Sequence, residues 1–79
     1  MSRAGDRKQM AAELATMQRE QAAAEEMISA CGHELSAKLT VGSDAEIEAV
    51  RVRMVAHFEA ALDARIRMGK FLKKVAEQW

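Results

Sequence analysis

Seventy-nine residues suffice for one domain. With no Pro, four Gly and 4% aromatic residues, the chain has little to break a helix and little to build a sheet; Ala, Glu, Met, Arg, Lys, Gln and Leu dominate and favour long helices or a coiled coil. Twelve basic and twelve acidic residues leave a formal net charge of zero, so the molecule as a whole is not expected to be drawn to nucleic acid or to an anionic membrane.

Residues 1–5 read as an unstructured start. The segment Met1-Ser2-Arg3-Ala4-Gly5-Asp6-Arg7-Lys8 has no apolar core of the kind a secretory signal carries. No stretch approaches the roughly 18 apolar residues of a membrane span. Together with a lone cysteine, this suggests the cytoplasm of a prokaryote or phage host.

A first helix is expected over 6–40. Met10, Leu14, Met17, Gln21, Ala24, Ile28, Cys31 and Leu35 recur in alternating steps of four and three, which is a heptad seam. Gly32 interrupts it, either as a tolerated defect or to admit a neighbouring backbone. The turn falls at 41–43. Gly42 is placed to end the helix in a left-handed conformation. Ser43 and Glu46 have capping-box spacing, and Asp44, Glu46 and Glu48 suit a helix N-terminus.

The second helix is expected over 44–78, giving a single domain built as an antiparallel two-helix hairpin. Charge supports the fold-back: residues 13–48 carry eight acidic and two basic side chains, and 51–79 carry seven basic and three acidic. The apolar residues of the second helix cover about half of its circumference, more than the narrow seam of the first helix can cover. A chain this short also needs a staple. Cys31 has no partner for an internal disulfide, and two histidines with one cysteine make no metal set. Pairing with another chain is the remaining staple, so a bundle completed by dimerisation or by a partner is expected.

The residues expected to make that contact are Ile47, Val50, Met54, Phe58, Leu62, Arg65, Met68, Phe71, Leu72 and Val75, with Phe58, Leu62, Met68, Phe71 and Leu72 as anchors. Arg65, within this stripe, either snorkels to water or meets an acid such as Glu13, Glu20 or a partner carboxylate. Gln21 is a second candidate for fixing register. Arg67, Lys70, Lys73 and Lys74 form a candidate basic patch, read alternatively as favourable charge at a helix C-terminus. Cys31 and His33, two residues apart on a helix, point to opposite sides and read as a core thiol and a surface imidazole, not as a reactive pair. His57 reads as a boundary residue with a wet edge. No phosphate loop, nucleophile set or close carboxylate pair is recognisable, so no enzyme activity, cofactor or small-molecule substrate is expected.

The stretch Ser29-Ala30-Cys31-Gly32-His33-Glu34-Leu35 and the turn Gly42-Ser43-Asp44-Ala45, within about residues 27–75, resemble the small E-component co-chaperones of type III secretion needle proteins. That resemblance implies a bacterial cytoplasmic helical hairpin that helps a helical-repeat chaperone keep a needle subunit from polymerising early. The amphipathic C-terminal helix is also similar to that of helical anti-activators of quorum-sensing regulators. The sequence therefore points to a non-enzymatic adaptor, small chaperone or inhibitor. The alternatives are a structural homodimeric four-helix bundle and a nucleic-acid-binding regulator using 65–74.

Overall fold

A computed structural model describes residues 3–78, with side chains from Asp6 to Gln78; Met1, Ser2 and Trp79 lie outside it. The chain is all-α. Helix α1 runs Arg3–Val41 and helix α2 runs Asp44–Gln78, packed against each other as a hairpin. The molecule measures 60 × 16 × 12 Å with a radius of gyration of 17.9 Å, against about 11.6 Å for a compact domain of this length. It is a rod, one helix pair wide.

Helix α1 begins at Arg3, upstream of the Asp6 start expected from the sequence. Arg3 and Ala4 are good helix formers and nothing in 3–5 forbids the helix, so the element extends through Gly5. The unstructured start therefore has no counterpart in Arg3–Gly5, and its first two residues lie outside the described ones.

The turn is short because stop and start signals adjoin. Gly42 N–H donates to Lys38 O at 2.6 Å, closing a last helical turn. Ser43 Oγ accepts from Glu46 N–H at 3.2 Å, and Ser43 N–H donates to Glu46 Oε1 at 3.1 Å. This reciprocal pair satisfies two amide donors at the start of α2. One expectation fails here. Gly42 is not left-handed, since no glycine among the described residues has a positive φ. Glycine is needed for space instead: a Cβ at position 42 would lie 2.7 Å from Lys38 O and 3.0 Å from Lys38 Cβ.

All eight α1 seam residues are turned inward, from Met10 to Leu35, with Cys31 the most buried at 3% exposed. On α2 the inward residues are Ile47, Val50, Met54, His57, Ala61, Ala64, Met68, Phe71 and Val75. Their steps of three and four make a second heptad seam facing the first. Val50 is 1% exposed, and Ala61, Ala64 and Phe71 are also buried. The small residues at mid-helix let the two backbones approach. Gly32 has no such necessity, because a Cβ there would meet only the Met54 methyl, at an ordinary 3.7 Å.

Candidate functional site

The hairpin has two unlike flanks. On one flank, ion pairs bridge the helices: Lys38 Nζ to Glu46 Oε2 at 2.5 Å, Arg53 to Glu34 at 2.8 Å, and Arg67 to Glu20 at 2.8 Å. Arg67 also holds Asp63 at 3.1 Å, one turn away. The charges are mutually stabilising. The Arg53 guanidinium, through its hydrogen bond, holds Glu34 below the usual carboxylate range. Glu46 is pulled down to about 2 by hydrogen bonds from Lys38 and then from Ser43, and Glu46 in turn raises Lys38.

The opposite flank is apolar and open. Phe58 is 53%, Leu62 59% and Leu72 55% exposed, with Val55 beside them. Val55, Phe58, Ala61, Leu62 and Arg65 form one wall of a groove of about 420 Å³, and α1 contributes Glu25 and Ile28. Farther toward the open end, Leu14, Ala11 and Leu72 line a second hollow of about 190 Å³ on the same flank. At the turn end this flank begins with a tight pair within α2, Arg51 to Glu48 at 2.5 Å, whereas the pair that crosses to α1 here is loose. Arg65 reaches Glu25 Oε1 at 3.5 Å, and Gln21 Nε2 reaches that same oxygen at 3.5 Å.

This flank has an internal order. Each inward residue of α2 from Met54 to Phe71 has as its next residue one of Val55, Phe58, Leu62, Arg65, Gly69 and Leu72. The outer row is thus the inner heptad shifted by one residue, which rotates it about 100° around the helix. Helix α2 carries two heptad seams. One is covered by α1 and the other faces water.

The structure divides the sequence-derived contact set accordingly. Ile47, Val50, Met54, Met68, Phe71 and Val75 lie in the inner seam, half-buried or buried within the hairpin; Phe58, Leu62, Arg65 and Leu72 are exposed. Two of the five expected anchors, Met68 and Phe71, therefore serve the hairpin itself. Val55 and Gly69 join the exposed row, and neither stood in that set; the one-residue offset between the two heptads was the signal for them. Arg65 meets neither Glu13 nor Glu20 but Glu25, which shares its flank, while Glu20 lies on the other flank and pairs with Arg67. Gln21 is half-buried in the α1 seam.

In the basic segment Arg67 is engaged by two carboxylates, while Lys70, Lys73 and Lys74 are exposed. Cys31 is a free, buried thiol and His33 is exposed, so the two do not meet. His57 is half-buried within the inner seam, not on its outer border. No helix is long and apolar enough to cross a membrane among the described residues. No family model, curated protein or solved structure matches this chain.

Proposed function

We propose that this chain is a non-enzymatic protein-binding module, an adaptor, small chaperone or inhibitor, that takes up a helix of another chain along the outer seam of α2. The observation that carries the reading is the alignment of Phe58, Leu62 and Leu72, each more than half exposed, along one flank of a hairpin whose other flank is closed by ion pairs. Large apolar side chains gathered in a row mark interaction surfaces, whereas singly scattered ones do not. A helix laid in the groove would set its own apolar residues between α1 and α2, and Arg65, held only loosely by Glu25, could turn to a carboxylate of the newcomer. In keeping with the resemblance to needle-protein co-chaperones, such a module would act in a bacterial cytoplasm and shield the polymerising helix of a secreted subunit.

Double substitution Phe58→Asp and Leu72→Asp tests this. Both side chains are solvent-exposed, so helicity should persist while the chain no longer co-purifies with its partner. Retained co-purification at full strength would refute the reading.

A further inference from the structure

We infer that in the chain on its own, before any other partner is present, the outer seam is covered by a second copy of this one, laid antiparallel so that α2 packs on α2 across a two-fold axis near residues 63 and 64. The inference rests on the outer seam being a docking surface, and three observations name the occupant.

The first is charge along the rod. The pairs Glu25–Arg65 and Glu20–Arg67 show which levels of the helices lie side by side. Cut at that level, the turn half (25–62) carries seven acidic and three basic residues, net −4; the open half (1–24 and 63–79) carries five acidic and nine basic, net +4. A neutral chain is thus a rod with opposite ends oppositely charged. Antiparallel pairing sets each −4 half beside a +4 half, and parallel pairing sets like against like.

The second is register. In antiparallel heptad packing, the two core positions of one helix face the alternate core positions of the other. One alignment pairs all six outer-seam residues: Val55 with Leu72, Phe58 with Gly69, and Leu62 with Arg65, each pair made twice by symmetry. The largest side chain of the row then meets the smallest. A Cβ at Gly69 would find nothing within 4 Å in the single hairpin, so glycine there answers no need of the hairpin. Beneath the partner's Phe58 it leaves room for the ring.

The third is area. A compact 8.7 kDa protein would expose about 4,700 Å². This chain exposes 5923 Å², an excess of roughly 1,200 Å², and a standard interface removes about 800 Å² from each partner. One interface between copies accounts for most of the excess.

Sedimentation of the purified chain between 5 and 200 µM, as a working range of about 40-fold, should show a dimer. Gly69→Gln puts a good helix former where the hairpin has open space, so helicity should hold or rise while the dimer is lost. Nitroxide labels on Ser43→Cys, in a Cys31→Ala background, should sit about 60 Å apart in the antiparallel dimer, at 1.5 Å rise per residue, and less than about 30 Å apart in a parallel one. A monomer throughout, a dimer indifferent to Gly69→Gln, or a short label distance each overturns the antiparallel α2–α2 pairing. An apolar dye separates the two levels of the argument. A monomer that binds dye, and loses it on Phe58→Asp, overturns only the second copy as occupant. A monomer whose dye binding ignores Phe58→Asp removes the docking surface as well.

Discussion

Two glycines at different points of the hairpin should respond in opposite directions to the same added methyl group. At Gly32 a Cβ meets only the Met54 methyl at 3.7 Å, so Gly32→Ala removes a flexible residue from a helix interior at no steric cost. The gain is about 1 kcal/mol, or roughly 4–8 °C in Tm for a chain of this size. At Gly42 the methyl would stand 2.7 Å from the carbonyl oxygen of Lys38, too close for any carbon. Lys38 O belongs to the backbone of the last helical turn, so relief must come from the main chain and not from a side-chain rotation. The strain therefore falls on the Gly42 N–H to Lys38 O bond, worth about 1 kcal/mol, and Gly42→Ala should lower Tm by several degrees. Thermal circular dichroism at one fixed protein concentration reads both variants. The expected gap is about 2 kcal/mol. If Gly42→Ala stabilises the chain as Gly32→Ala does, the steric account of the turn is wrong.

The capping box makes a matching prediction: Ser43→Ala should cost about 1 kcal/mol, visible as a lower midpoint in urea. Acid should act on the same turn. Glu46 is held near 2 in the folded chain against an ordinary value of 4.5, so its contribution is complete above pH 4.5 and is lost as pH falls toward 2. Glu34 and Glu48, lowered by hydrogen bonds from Arg53 and Arg51, act in the same direction. Melting points measured from pH 7 to 2 should therefore decline below about 4.5, less steeply in Glu46→Gln. The two phenylalanines should differ sharply. In the Gly69→Gln background, Phe71→Ala should cost about 3 kcal/mol, because Phe71 is buried at 6% exposure, whereas Phe58→Ala should change stability by less than about 1 kcal/mol. Equal costs in chemical denaturation would mean that the inner and outer seams are misassigned. Cys31, 3% exposed, should react with a thiol reagent only as fast as the hairpin opens, and labelling at the rate of a free thiol in native buffer would contradict its place in the seam.

Much of this architecture can be read from the residues. Pro is absent, the α1 seam keeps its period from Met10 to Leu35, and Ser43 with Glu46 announces the restart beside Gly42. Those signals are local, so they survive folding unchanged. The face that α2 turns to α1 is less legible. Phe58 and Leu62 outrank their neighbours His57 and Ala61 in hydrophobicity, yet it is His57 and Ala61 that point inward. Hydrophobic rank does not decide the matter. The capped turn fixes the phase of α2, directing Ile47 and Val50 at α1, and the heptad period carries that phase onward. Small Ala61 and Ala64 suit close contact, and the larger residues one step along are left facing water. The role of Gly42 was hidden for another reason: the sequence marks a glycine as special without saying whether angle or space requires it.

The capped turn also orders the folding of the chain in time. Contacts next to Ser43 close loops of a few residues, and each contact farther along joins residues separated by two more per step, reaching nearly the whole chain at Met10 and Val75. Loop closure grows costlier with length only slowly once neighbouring contacts exist. The hairpin should therefore close like a zip from the turn outward, with rapid kinetics typical of local topologies. Changes at Ser43, Ile47 or Val50 should slow folding, while changes at Phe71 or Val75 should mainly hasten unfolding. On a ribosome the zip cannot start until Ser43 and the first turns of α2 have emerged, and until then the apolar positions of α1 have no mate.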